Sequence, residues 1–135
     1  MAYTGGYPSP SLATVRARYS FATDGGAVGN IDLTGSAQIP KGAVIISGFV
    51  EVDTVPTSGG SATLAIKVEG AGDVVSGAIS GSPWASTGPK NVAPGVIGAA
   101  PVKTTAARKI TATIGVAALT AGVVDVVLVY IEMPD

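Results

Sequence analysis

The chain has 135 residues, of which 47% are hydrophobic and only 13% are charged, and its formal net charge is −1. A chain of this length buries roughly two-thirds of its unfolded surface around one compact core, so we expect a single domain over residues 11–135. The near-neutral charge argues against a nucleic-acid partner, because such binding neutralises several phosphates at once. No apolar run approaches the ~20 residues of a membrane-spanning helix, so no membrane partner is expected.

Histidine and cysteine are both absent from the sequence. Their absence removes the commonest general base, the triad and dyad nucleophile systems, and zinc sites built on imidazole or thiolate groups. The sequence therefore predicts a protein that is not an enzyme and that uses no cofactor, no metal and no small-molecule substrate. The first ten residues lack the basic and apolar regions of a secretory signal, which predicts synthesis in the cytoplasm. Their Gly, Pro and Ser content predicts a flexible arm over residues 1–10.

Short segments rich in Val, Ile and Thr, separated by 19 glycines and 9 prolines, predict an all-β chain. In residues 11–21 the apolar positions alternate with Arg16, Arg18 and Ser20, which is typical of a half-buried strand whose arginines point outward. The further predicted strands are residues 28–33, 43–53, 62–69, 74–79, 109–116 and 123–133. Their short, regular spacing predicts a jelly-roll β-sandwich of about eight antiparallel strands.

Turn signals separate several of these strands. Residues 38–42 hold Pro40, which restricts its own φ, and Gly42, which is free to adopt a positive φ. The Gly-rich turn at 56–60 predicts a hairpin between the strands that flank it, and the loop at 117–122 predicts a second hairpin.

Residues 80–101 contain four prolines, which interrupt any continuous ladder of strand hydrogen bonds. We therefore predict a long surface loop in this segment. Because long loops within compact domains are often functional, and this one holds the only tryptophan, Trp84 is a candidate contact residue.

Two predicted strands are apolar on both faces. In residues 123–133, one face has Val124, Val126, Leu128 and Tyr130, while the other has Val123, Val127, Val129 and Ile131, interrupted by Asp125. In residues 43–53, one face has Val44, Ile46, Val50 and Val52, while the other has Ile45 and Phe49. Exposed contiguous apolar patches usually mark contact sites. The second faces therefore predict an oligomer interface that includes Ile45, Phe49, Val123, Val127, Val129 and Ile131; the alternative is that the loop over residues 80–101 covers them.

Carboxylates are the remaining candidates for chemistry. Glu51 and Asp53 alternate along one strand and share a face, as a carboxylate dyad or a cation site requires, but alternating outward charges are also typical of a solvated face. We interpret the pair as solvated. Arg16 and Arg18 likewise share an outer face. Their side chains are either solvated or paired with acidic groups of a partner. Residues 24–26 and 70–73 each hold an aspartate among glycines, which indicates turns.

Several segments also resemble a known family. The sequence is similar to the jelly-roll capsid decoration, or cement, proteins of tailed bacteriophages from about Val15 to Tyr130. The segments that carry this resemblance are RARY (16–19), IPKGAVI (39–45), TSGGSATLAI (57–66), ITATI (110–114) and TAG (120–122).

The resemblance implies a structural role in the virion. Subunits of that family assemble, often as trimers, on the outside of the head and bridge major capsid proteins. For this chain it implies a homotrimer whose partners are other copies of itself and a phage major capsid protein. It also makes the N-terminal arm and the proline-rich segment candidates for capsid contact, and their aromatic residues Tyr3, Tyr7 and Trp84 are the candidate contact residues.

Alternative functions remain open at this stage. One alternative is a head-fibre base or a tail structural component with the same fold. A non-catalytic carbohydrate-binding module is compatible with a jelly roll and would use exposed aromatics such as Trp84. A polysaccharide hydrolase would rest on the Glu51 and Asp53 carboxylates alone.

Overall fold

The computed structural model describes residues 12–33, 38–92 and 101–133. The predicted arm over residues 1–10, with Tyr3 and Tyr7, lies outside the described residues. Residues 93–100 of the proline-rich segment also lie outside them.

The described residues form nine strands and one helical turn. Their bounds are β1 Leu12–Ser20, α1 Phe21–Asp24, β2 Gly29–Asp32, β3 Ala43–Ser58, β4 Thr63–Lys67, β5 Val75–Ala78, β6 Gly88–Asn91, β7 Val102–Lys103, β8 Thr111–Gly115 and β9 Leu119–Glu132. All strand pairs are antiparallel. The two long strands, β3 and β9, pair with each other along most of their length.

The strands form two sheets with the order of a jelly roll. The five-stranded sheet runs β1-β9-β3-β6, with β7 also paired to β3, and the four-stranded sheet runs β2-β8-β4-β5. The first strand therefore lies beside the last one, and most consecutive strands lie in opposite sheets. This arrangement confirms the predicted jelly-roll β-sandwich.

Both predicted hairpins are wrong. β3 and β4 flank the Gly59-Gly60 turn but lie in different sheets, and so do β8 and β9. After a Gly-rich turn the chain can either pair again within the same sheet or cross to the other sheet. The local sequence does not distinguish these two paths. The hairpin that forms joins β4 to β5. In its turn, the Asp73 carboxylate accepts backbone hydrogen bonds from Val68, Glu69 and Gly70 at 2.6 to 2.9 Å.

The core lies between the sheets and follows the predicted alternation of β1. Val15, Ala17 and Tyr19 are buried, while Arg16 and Arg18 point outward. The phenol of Tyr19 donates a hydrogen bond to the Gly25 carbonyl at 2.7 Å, and burial raises its pKa. Apolar residues of the other strands complete the core, among them Ile45, Val50, Val52, Leu64, Ile66, Ile110, Ile114, Val124, Val126 and Leu128.

A β-bulge changes the phase of β3. The register with β9 shifts between Ile45 and Ser47, so Ile46 is an extra residue with no direct partner. Ile45 consequently faces the core and is fully buried. Its assignment to an oligomer interface was wrong, because strict alternation across residues 43–53 ignores the bulge. Val44, Ile46 and Phe49 are the apolar residues of this strand that face outward.

The proline-rich segment is more ordered than its sequence predicts. Trp84 is fully buried, and its indole Nε1 donates a hydrogen bond to the Leu64 carbonyl oxygen at 3.1 Å. Residues of β6 then extend the edge of the five-stranded sheet, where Pro89 is tolerated because an edge strand has one unpaired side. Trp84 is therefore a core residue and not a surface contact residue. Of the described part of the segment, β6 lies beside β3 within the sheet.

Candidate functional site

The outer face of the five-stranded sheet is the surface that points away from the four-stranded sheet. On this face, Ile131 of β9 lies opposite Leu12 of β1 and Val44 of β3. One step along, Val129 lies opposite Thr14 and Ser47, beside the bulged Ile46. The register thus brings apolar residues from three strands into one neighbourhood.

We call one end of this surface the apolar half. Its members are Leu12, Val44, Ile46, Phe49, Val127, Val129 and Ile131. Leu12 is 65% exposed and Ile46 is 46% exposed, whereas the other members are half-buried. A contiguous exposed apolar surface of this kind usually marks a contact site.

The structure brings together most of the predicted interface residues. Phe49, Val127, Val129 and Ile131 all belong to the apolar half. Val123 shares the face but lies at the opposite end of β9, where it pairs with Ser20 and Thr54.

Sequence reasoning missed Leu12, Val44 and Ile46 as members of this surface. Alternation within β1 places Leu12 on the outer side together with Arg16 and Arg18, and this signal was present in the sequence. The outward position of Val44 and Ile46 depends on the bulge, which the sequence pattern does not reveal.

We call the other end of the outer face the charged half; it holds Arg18, Glu51, Asp53 and Asp125, together with Arg16 at its boundary, opposite Val127 of the apolar half. Arg18 donates from Nη1 to Asp125 Oδ2 at 2.9 Å and from Nη2 to Asp53 Oδ2 at 3.2 Å. Arg16 Nη2 lies 3.7 Å from Asp125 Oδ2. The two arginines belong to β1, and Glu51 and Asp53 belong to β3. β9 separates the cations from these two anions.

Asp125 is the carboxylate at the centre of the charged half. It is only 8% exposed, and Arg18 covers one of its oxygens. Its other oxygen, Oδ1, is buried and has no hydrogen-bond partner among the described residues. A buried carboxylate oxygen without a partner is unfavourable, so a donor from outside would stabilise it.

The Glu51 and Asp53 side chains are both exposed, in agreement with a solvated face. Asp53 forms its ion pair with Arg18, and no group of three or more acidic side chains in the described part of the chain is arranged to hold a metal ion. Within residues 12–33, 38–92 and 101–133, no helix has the length and apolarity needed to cross a membrane.

A shallow cavity of about 390 Å³ lies at the far end of β4. At its rim, Glu69 accepts hydrogen bonds from the Thr105 hydroxyl at 2.6 Å and from Arg108 Nε at 2.9 Å. These bonds lower the pKa of Glu69 to about 2. The carboxylate and the guanidinium neutralise each other, so this cluster ties residues 104–108 to β4 and offers no free acid or base.

Comparison with known proteins shows likeness in structure. No family model and no curated protein matches the sequence. A chain from the capsid of Ralstonia phage GP4 has a TM-score of 0.63 and 14% identity, covering 100% of this chain and 92% of that chain. A chain from the cyanophage Pam1 capsid asymmetric unit has a TM-score of 0.62 and 14% identity, covering 98% of this chain and 93% of that chain.

A chain from the acidic stable capsid structure of Helicobacter pylori bacteriophage KHP30 has a TM-score of 0.61 and 15% identity, covering 92% of this chain and 89% of that chain. Identities this low show a shared fold. The jelly roll described above is therefore similar, over nearly its whole length, to chains found in three phage capsid structures.

Proposed function

We propose that this chain is a non-catalytic structural protein of a phage virion. The observation that carries the proposal is the apolar half of the outer face, where Leu12 and Ile46 are exposed beside half-buried apolar side chains, on a jelly roll whose described residues hold no metal-binding cluster. The likeness in fold to chains of three phage capsid structures supports the same role.

More specifically, we propose a decoration, or cement, subunit. It binds the outside of the head and stabilises it by bridging major capsid proteins, after synthesis in the host cytoplasm. The family resemblance of the sequence supports this role. Tyr3 and Tyr7 of the N-terminal arm are the proposed capsid contacts. Trp84 is no longer a candidate contact residue, because it is buried.

The subunit associates with copies of itself through the apolar half, and the family resemblance supports a homotrimer. Phe49, Val127 and Val129 lie at the centre of the contact, because they occupy neighbouring positions on the paired strands β3 and β9. Val123 lies beyond the charged half and forms part of its rim. Burial of apolar surface at such contacts is the main favourable contribution to association.

Other functions have weaker support. A carbohydrate-binding module requires an exposed aromatic platform, and burial of Trp84 removes the main candidate. A head-fibre base or a tail component shares the fold and differs only in its place on the virion.

Self-association is tested by measuring the mass of the purified protein in solution. We expect a trimer for the wild type and a monomer for Val129→Asp, because a charge in the apolar half loses its hydration on association. Ala78→Asp is the matched control, since Ala78 is exposed on β5 of the other sheet. A wild type that stays monomeric at high concentration would contradict self-association.

The place on the virion is tested by adding the purified protein to heads that lack it, followed by cryo-electron microscopy. We expect regular density on the outside of the head and greater resistance of the head to heating. Label on the tail alone would overturn decoration in favour of the tail component. Saturable binding to a glycan array without binding to heads would favour the carbohydrate-binding module.

A further inference from the structure

The outer face has an electrostatic asymmetry across the strands. Arg16 and Arg18 lie on β1 at one side of β9, whereas Glu51 and Asp53 lie on β3 at the other side. A further cation, Lys103 of β7, lies on the β3 side at the apolar end, where it pairs with Val44. Charged residues on the two sides also lie level with each other, because Asp125 of β9 pairs in register with Arg18 of β1 and with Glu51 of β3. Arg18 and Glu51 therefore lie at the same height along β9, and Arg16 lies one step away, opposite Val127.

We propose that copies of this chain associate around a rotation axis parallel to β9, so that the arginines of β1 in one copy meet the carboxylates of β3 in the next. The proposal deepens the self-association proposed above and rests on it. It does not depend on where the assembly is located.

The axis follows from the pattern of the face. Rotation about an axis parallel to β9 preserves height along the strands, so the apolar half of one copy meets the apolar half of the next. The same rotation brings the β1 side of one face against the β3 side of its neighbour, for a two-fold pair and for a three-fold ring alike. Cations then meet anions, which sets the relative orientation of the copies.

An axis across the strands gives the opposite result. It reverses height along β9 and places the charged half of one copy on the apolar half of the other. The exposed side chains of this half, Arg16, Arg18, Glu51 and Asp53, would then lose water without gaining partners, which is strongly unfavourable. The distribution of charge therefore distinguishes between the two ways of joining these faces.

Two groups of the charged half remain available to a second copy. The Arg16 side chain is 70% exposed and only approaches Asp125, at 3.7 Å. Glu51 is exposed and forms no ion pair or side-chain hydrogen bond among the described residues. Their positions differ by one step along the strands, which a long arginine side chain spans. We assign Arg16 of one copy to Glu51 of the next as the principal pair.

The test is a charge reversal with rescue. Arg16→Glu and Glu51→Arg are each expected to weaken association about tenfold or more, because each brings like charges together at the interface. The double variant carrying both reversals is expected to restore the dissociation constant to within about threefold of wild type, because the pair is re-formed with opposite polarity. Sedimentation equilibrium at about 0.05 and 0.5 M NaCl measures all four proteins, and high salt is expected to reduce the differences.

Lys109→Glu is the control, since Lys109 is exposed and precedes β8 of the other sheet. It changes the net charge by the same amount and sign as Arg16→Glu and is expected to leave association unchanged. Fluorescence of Trp84 reports whether each variant keeps its core. Single variants that associate like wild type, or a double variant with the summed loss of both singles, would overturn the proposed axis while leaving self-association intact. A monomeric wild type would instead contradict self-association itself.

Discussion

Trp84 and Leu64 are joined by a hydrogen bond of 3.1 Å from the indole Nε1 to the backbone carbonyl oxygen. Leu64 belongs to β4 of the four-stranded sheet, and both side chains are fully buried. The contact anchors the segment that follows β5 to the core before the chain enters β6 in the other sheet. A residue that sequence analysis placed on a surface loop is thus one of the largest side chains of the core.

Removal of the Trp84 side chain is expected to destabilise the protein strongly. Trp84→Ala should lower the free energy of unfolding by about 3–5 kcal/mol, because it leaves a large cavity. Trp84→Phe should cost less, about 1–3 kcal/mol, since it keeps an aromatic ring and loses the indole donor. Urea unfolding followed by circular dichroism measures both. Phe21→Ala, at a side chain that is 36% exposed, is the control; a loss for Trp84→Ala no larger than for this control would contradict the buried position.

Gly48 is expected to tolerate no side chain. A Cβ at this position would lie 2.6 Å from Leu128 Cδ2 and 2.8 Å from the Val127 carbonyl oxygen. Gly48→Ala should therefore destabilise the fold by about 1–3 kcal/mol through overpacking. Gly59→Ala is the matched control, because a Cβ there meets nothing within 4 Å. Thermal unfolding of both variants checks the prediction, and equal midpoints would refute the close approach of β3 to β9 at this point.

Val116 adopts an unfavourable backbone conformation. Its φ is +70° although it is β-branched, and its side chain is 76% exposed at the corner between β8 and β9. Val116→Asn should raise the free energy of unfolding by about 1 kcal/mol, because asparagine tolerates this region better. Val28→Asn, at an exposed valine without a positive φ, should give no such gain. Chemical denaturation of the two variants tests this prediction. A loss of stability at both positions would count against backbone strain at Val116.

Glu69 is expected to contribute to stability in a pH-dependent manner. The Thr105 hydroxyl and Arg108 hold the pKa of Glu69 at about 2 in the folded chain, against an ordinary value of 4.5. Because the unfolded chain binds the proton more readily, the contribution is fully present above pH 4.5 and is lost as the pH falls through about 2.

Glu69→Gln should therefore destabilise the protein at neutral pH, and its difference from wild type should shrink in acid. Urea unfolding at about pH 7 and about pH 2.5 measures this change. Glu51→Gln, which removes an exposed carboxylate outside this cluster, is measured in parallel as the control. A Glu69→Gln effect of equal size at both pH values would exclude an electrostatic origin.

Local sequence determined the features that depend on local backbone geometry. The period of two in β1 correctly predicted that Val15, Ala17 and Tyr19 are buried, because successive side chains of a strand point to opposite faces. Gly42 adopts the positive φ that its turn requires, at +80°. The frequent glycines and prolines and the short β-branched segments were sufficient to predict an all-β sandwich of the jelly-roll type.

Tertiary structure alone decided which strands pair and which residues meet on one surface. The crossing of the chain between sheets after β3 and β8, the bulge at Ile46 and the burial of Trp84 all result from packing between segments distant in sequence. The outer face is a product of the same long-range pairing, since β9 brings Arg18 of β1 and Glu51 of β3 to one height. Alternation within a strand shows which face of the sheet a residue occupies. Only the pairing with neighbouring strands determines which residues lie beside it on that face.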